Sequence, residues 1–305
     1  MKKKETQTPP SLDLLAASGW QDYALLDAGE GFKLEQFGPA RLVRPEPEAV
    51  WSRSLPEAEW QKADAFYKPS PEENGGHWEY RKKLPEKWTM RYGSLSFQVM
   101  TSASRHLGVF PEQSVQWDWA DAVVTKAAKP PKILNLFGYT GLASLAAARS
   151  GALVTHLDAS RKVVLWAKEN QALSHLSDSP IRWIVDDTVK FVQREIRRGA
   201  QYDGIILDPP KFGRGPKGEV WEFYKLLPDL LAGCRQILSP DPLFVQLTAY
   251  AVKASSVTIY YAINEMMSSF DGHTQAGEIG LTEQSGGHFL STAIFARWCR
   301  NNVIP

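Results

Sequence analysis

The chain has 305 residues, a formal net charge of +1, 43% hydrophobic residues and 23% charged residues, the balance of a soluble globular protein with one large or two moderate domains. That balance excludes a polycation built for non-specific nucleic-acid binding, and two cysteines, Cys234 and Cys299, exclude a disulfide framework and a cysteine-based metal site. No apolar run approaches the roughly 20 residues of a membrane span, so a cytoplasmic protein without a membrane partner is expected, and the opening MKKKETQTPP lacks the apolar stretch of a signal peptide.

Residues 1–12 read as a disordered tail. Residues 13–114 read as a small β-rich N-terminal domain: YALLDAG, FKLEQFG and ARLVRP are short strands punctuated by Gly and Pro. WEYRKKLPEKWTMRYGSLSFQVM adds two or three strands with a turn near Pro85. Here Arg81, Lys82, Lys83, Lys87 and Arg91 interleave with Tyr80, Trp88 and Tyr92. Cations for phosphates and rings for stacking make an RNA surface, and the same pattern also fits a solvated strand face over core aromatics. VQWDWADAVVTKAA, from residue 115, has helical periodicity.

After the KPP at 129–131 the texture changes, and residues 115–305 read as one α/β domain. Strands are expected near 132–137, 152–158, 181–185, 202–208 and 242–248, with helices near 141–150, 160–174, 187–198, 219–238 and 255–268. Strands that alternate with helices imply right-handed crossovers and a parallel sheet. AGEIGLTEQ and FLSTAIFARW close the chain as a pair of strands, read as antiparallel.

In such a sheet ligands bind beyond the carboxyl ends of the strands. Four ends carry chemistry. The first, NLFGYTG, puts Gly138 where backbone can approach a ligand and leads Tyr139, Thr140 and Gly141 into a helix N-terminus. It lacks the closely spaced glycines of a dinucleotide site. The second, THLDAS, ends in Asp158, which either accepts ribose hydroxyls or caps the next helix. The third ends in Asp186 and Asp187, either of which can cap a helix or accept from an exocyclic amine. The fourth, LDPPKFGRG, delivers Asp208 and then Pro209 and Pro210, whose missing N–H groups leave carbonyls to face a substrate; Lys211 and Arg214 follow in a Gly-rich loop that looks mobile. No histidine shows metal-ligand spacing, so no metal site is expected.

ILNLFGYTG, HLDAS, DD and DPPKF, in that order, resemble the class I S-adenosylmethionine-dependent methyltransferases, and most of all the ribosomal RNA large-subunit methyltransferases of the cytosine-C5 and guanine-N7 type. The resemblance covers roughly residues 105–300 and implies a Rossmann-like, mostly parallel seven-stranded sheet with helices on both faces. It implies S-adenosylmethionine as cofactor, with Asn135, Phe137, Gly138, Tyr139, Thr140 and Gly141 around its methionine end. Asp158 would take the ribose, Ala159 and Ser160 would lie near the adenine, Asp187 would meet the adenine amine, and Phe110 and Gln113 would close the pocket. Asp208, Pro209, Pro210 and Lys211 would face the target atom, and ribosomal RNA would be the partner. The chain departs from the cytosine-C5 pattern after the fifth strand of the domain, where FVQLTAYAVKAS offers Thr248, Ala249 and Tyr250 and no cysteine nucleophile. Direct transfer to a ring or exocyclic nitrogen, or to another heteroatom, is therefore expected. A methyltransferase for a small molecule or protein, or a non-catalytic cofactor- or RNA-binding protein, are the alternatives.

Overall fold

The computed structural model describes residues 10–70, 75–102 and 104–303, so most of the tail expected to be disordered lies outside the described residues. The strands β2 (Tyr23–Gly29), β3 (Phe32–Phe37), β4 (Ala40–Pro45), β5 (Ala65–Pro69) and β6 (Gly76–Tyr80) follow the short strand β1 (Asp13–Ala16) and form a five-stranded sheet in that order, with the single turn α1 (Glu57–Trp60) before β5. β7 (Trp88–Tyr92) and β8 (Leu95–Val99) pair as a hairpin. Period-two alternation makes them: Trp88, Met90, Tyr92, Leu95, Phe97 and Val99 are buried while the residues between face outward. A 3-10 turn, Pro111–Gln113, then leads into α2 (Ser114–Thr125).

The second half alternates as expected. Its elements are β9 (Lys132–Leu136), α3 (Leu142–Arg149), β10 (Leu153–Asp158), α4 (Arg161–Leu173), β11 (Ile181–Val185), α5 (Thr188–Arg197) and β12 (Gly204–Leu207), then the short β13 (Phe212–Arg214) and β14 (Val220–Glu222), α6 (Phe223–Gln236), β15 (Phe244–Ala249), α7 (Ser256–Met266), β16 (Gly272–Thr282) and β17 (Phe289–Arg300). The large sheet runs β1-β16-β17-β15-β12-β9-β10-β11. β11, β10, β9, β12 and β15 are parallel, and β17 is antiparallel to both neighbours. Strand order reverses at β9, which has β10 on one side and β12 on the other, and this is where a ligand crevice opens.

Two features differ from expectation. The sheet has eight strands rather than seven, because Asp13–Ala16 pairs in parallel with Gly277–Gly280 instead of joining the N-terminal strands. Gly277 admits it: a Cβ there would lie 1.8 Å from the Asp13 carbonyl oxygen. The Gly-rich stretch expected to be a mobile loop is a hairpin of β13 and β14, so the helix expected from 219 begins at Phe223.

The two halves share a core. Tyr23, Phe37, Met90 and Phe97 cluster with Leu142, Leu145 and Ala146 of α3, each large side chain contributing about 1.5–3 kcal/mol on burial. Backbone amides of β8 also bond to α4 and its C-cap, Gln98 to Asn170 Oδ1 at 2.9 Å and Ser96 to Ser174 Oγ at 3.0 Å. This packing carries segment 105–113 over the carboxyl edge of the large sheet.

Candidate active site

Register assembles the site. Ile206 of β12 lies opposite Asn135 of β9 and Gln246 of β15. Side chains alternate along strands, so Asn135 and Phe137, Ile206 and Asp208, and Gln246 and Thr248 present pairs on one face. All six line a cavity at the carboxyl edge. Of the other expected residues, Phe110, Gln113, Gly138, Tyr139 and Thr140 line it as well.

The turn after β9 is strained. Phe137 and Tyr139 adopt φ of 57° and 49°, left-handed values that bulky residues rarely take. Gly138 between them donates its N–H to the Leu157 carbonyl at 2.9 Å, and a Cβ there would lie 2.4 Å from the His156 ring. His156 is fully buried, and burial pushes its pKa down to about 3, so the imidazole is neutral. Its Nδ1 pairs with Ser144 Oγ at 2.9 Å, and Asn135 Nδ2 donates to the same oxygen at 2.9 Å. Strand, turn and helix are thus locked by one polar chain. Gly141 precedes α3, whose first turn has neither a side-chain cap nor an acid, leaving helix-end N–H groups for an incoming ligand.

Asp158 braces this turn from β10. Its Oδ2 accepts from the Tyr139 N–H at 3.0 Å and its Oδ1 from the Ser160 N–H at 2.8 Å. Burial raises its carboxyl pKa. Each oxygen keeps a second lone pair for another donor. Ala159 and Ser160 follow it into α4. The two acids after β11 divide their tasks: Asp187 caps α5 by accepting from the Lys190 N–H at 2.9 Å, and Asp186 pairs with Arg194. Neither lines the cavity.

Asp208 stands at the end of β12, where Gln113 Nε2 donates to its Oδ2 at 3.1 Å. Burial, with the buried Glu112 nearby, pushes its pKa up to about 8. Pro209 is buried behind it. The Pro210 carbonyl, expected to be free for a substrate, instead accepts from the Trp221 indole N–H at 2.6 Å. Lys211 is exposed, its carbonyl held by the Phe223 N–H at 3.0 Å. Two contacts thus anchor the hairpin to the end of β12, and the Phe137 ring packs on Trp221 at 4.9 Å.

Over the cavity, the Phe110 ring lies 5.7 Å from Tyr139 and 5.0 Å from Tyr250. Thr140 Oγ1 fastens this roof by donating to the Gly108 carbonyl at 2.6 Å. Asp208 is the one acidic residue in the lining among the described residues, and no Lys, Arg or His is there. A carboxyl and aromatic faces suit a cationic ligand such as a sulfonium.

Neither cysteine reaches this edge. Cys234 is fully buried in the apolar core, where burial pushes its thiol up to about 12. Cys299 lies opposite Phe244, at the start of β15 rather than its end. In the basic N-terminal stretch Lys82 pairs with Asp64, Lys87 with Glu169 and Arg91 with Asp22, all three cations remaining more than half exposed, while Trp88 and Tyr92 are core rings and Tyr80 is exposed. A larger cavity of about 570 Å³, lined by Lys132, Leu153 and Ile181, opens at the opposite, amino edge of the strands. Sequence reasoning passed over Glu112 and Gln246; the one signal for Gln246 is a polar residue two positions before Thr248 in the apolar run FVQLTA. Among the described residues no helix is long and apolar enough to cross a membrane, and no group of three or more His, Cys, Asp or Glu is placed to hold a metal.

No family model matches the chain. It is 31% identical over 207 residues, 64% of its length, to the ribosomal RNA large subunit methyltransferase K/L of Shewanella frigidimarina, and 30% identical over 220 residues to that of Shewanella sp. strain MR-4. The chain spans only 28–30% of the length of those relatives. A crystal structure of the S-adenosylmethionine-dependent methyltransferase from Agrobacterium tumefaciens is 45% identical, with a TM-score of 0.90 over 97% of both chains. A match of that depth along the whole chain, on a fold whose carboxyl edge carries this cavity, establishes that the chain belongs to the S-adenosylmethionine-dependent methyltransferases.

Proposed function

We propose that the chain methylates a base of ribosomal RNA, by direct transfer to a nitrogen. The observation that carries the reading is Asp208: a half-buried carboxyl beside the strained β9 turn, on an edge that holds no thiol among the described residues. S-adenosylmethionine supplies an electrophilic methyl group on a cationic sulfur. Asn135, Phe137, Gly138, Tyr139, Thr140 and Gly141 hold its methionine end, and Asp158 accepts its ribose hydroxyls. Ala159, Ser160 and Asp187 serve the adenine, with the Asp187 cap as a competing duty. Phe110 and Gln113 roof the pocket and exclude water. Asp208, with Pro209, Pro210 and Lys211 behind it, aligns the acceptor, and its ionised carboxylate accepts an acceptor N–H. The names of the relatives support RNA as substrate, and a ribosomal RNA substrate fits a cytoplasmic protein. The catalytic unit is residues 115–305 with β1 added, and the strands between Tyr23 and Val99 carry its roof.

The paired cations at 82–91 favour a second reading, a small-molecule acceptor. Mass mapping of modified nucleosides in ribosomal RNA from a deletion strain decides between them. Loss of one methylated nucleoside is expected; an unchanged map contradicts the RNA reading.

A further inference from the structure

β15 carries polar groups that folding alone does not explain. Gln246 and Thr248 are 2% and 1% exposed, yet the Gln246 Oε1 and the Thr248 Oγ1 have no hydrogen-bond partner among the described residues. Both line the Asp208 cavity. Buried polar atoms are almost always satisfied, so two at alternate positions of one strand, both in the cavity lining, call for a ligand that satisfies them.

Position says which ligand. Across the carboxyl edge the strands run β10, β9, β12, β15, carrying Asp158, the strained turn, Asp208 and Thr248 in that order. Thr248 lies one strand beyond Asp208, on the side away from Asp158, about 14 Å from β10 at ~4.8 Å per strand. The cofactor assigned to the β9 and β10 ends leaves β15 on the acceptor side.

We propose that Gln246 and Thr248 form a subsite that reads the hydrogen-bonding edge of the acceptor and sets it against Asp208. Gln246 Oε1 accepts an N–H of a planar nitrogen-bearing group, and Thr248 Oγ1 donates to or accepts from the atom beside it. The subsite determines which acceptor is aligned and takes no part in activating the methyl donor. The inference rests on the proposed placement of the cofactor and extends it.

The test uses Thr248→Val and Gln246→Leu, which keep volume and remove the polar atoms. Each variant is assayed with tritiated-methyl S-adenosylmethionine on extract from a deletion strain, counting RNA and small-molecule fractions separately. Affinity for S-adenosylhomocysteine is measured by calorimetry, and the melting temperature is recorded. The expected result is transfer reduced at least tenfold, with homocysteine-product affinity within twofold of wild type and an unchanged or higher melting temperature. Unchanged transfer overturns the subsite. So does a tenfold loss of S-adenosylhomocysteine affinity, which would assign the row to the cofactor. Label in the small-molecule fraction that falls in both variants supports the subsite while overturning the RNA reading.

Discussion

Two clusters of buried polar groups flank segment 105–113, and they are built differently. In the N-terminal sheet, Glu35 accepts from Arg44 Nε at 2.6 Å and Nη2 at 2.7 Å and from the Tyr23 hydroxyl at 2.8 Å, and Arg44 also donates to the Arg105 carbonyl at 3.0 Å. At the carboxyl edge of the large sheet, Asp208 has a single bond, to Gln113, and Gln246 and Thr248 leave oxygens unpaired. The first cluster is satisfied and holds the roof in place. The second is under-satisfied, which costs stability and leaves groups ready for chemistry. The contrast separates residues that keep the fold from residues that do the work, and it is open to direct challenge.

The largest effect is expected at the chemical cluster. Asp208→Ala should reduce methyl transfer by about 10²–10⁴-fold and leave S-adenosylhomocysteine binding within a few-fold, by radiolabel assay and calorimetry. Next, Arg44→Ala should cost about 3–5 kcal/mol of folding stability, because it strands a buried Glu35 carboxylate; urea unfolding followed by fluorescence measures it. Asp158→Ala should weaken S-adenosylhomocysteine binding by about 1–3 kcal/mol, the cost of a lost charge-assisted hydrogen bond. The smallest effect belongs to Cys299→Ala, far from the edge, which should transfer methyl groups at the wild-type rate.

The clusters also differ in sign with pH. Burial alone would raise the Glu35 carboxyl, and Arg44 and Lys33 outweigh it and hold the pKa below the usual value. A depressed carboxyl stabilises the fold above its unfolded pKa and loses that contribution as pH falls. Asp208 is the reverse: its pKa, pushed up to about 8 from 3.8, favours the fold below 3.8 and withdraws that support as pH rises towards 8. The melting-temperature gap between Asp208→Asn and wild type should therefore widen from pH 5 to pH 8 and level off above. A gap that narrows over that range breaks the assignment.

Much of this was legible in the chain. The alternation of apolar runs with helical stretches gave the parallel strands β9, β10, β11, β12 and β15 and the helices between them to within a few residues, because both faces of those strands are covered and their composition shows it. The acid-bearing strand ends were visible as Asp158, Asp186, Asp187 and Asp208. Partnerships were not. Asp13–Ala16 joins a strand 264 residues later through a backbone approach at Gly277 that leaves no local pattern. The Pro210 carbonyl looked free because nothing nearby announces that Trp221 folds back upon it. The ion pairs of the basic stretch were hidden because its acids, Asp22, Asp64 and Glu169, are distant in sequence. Glu112 and Gln246 acquire meaning only from burial.

The central claim is that the under-satisfied edge trades stability for chemistry at Asp208. Asp208→Asn tests it most directly, through its rate of labelled-methyl transfer at pH 8.5 under saturating cofactor, with the melting temperature taken on the same sample. The account predicts transfer reduced at least a hundredfold and a melting temperature above that of wild type. Transfer at the wild-type rate, or a lower melting temperature, would contradict it.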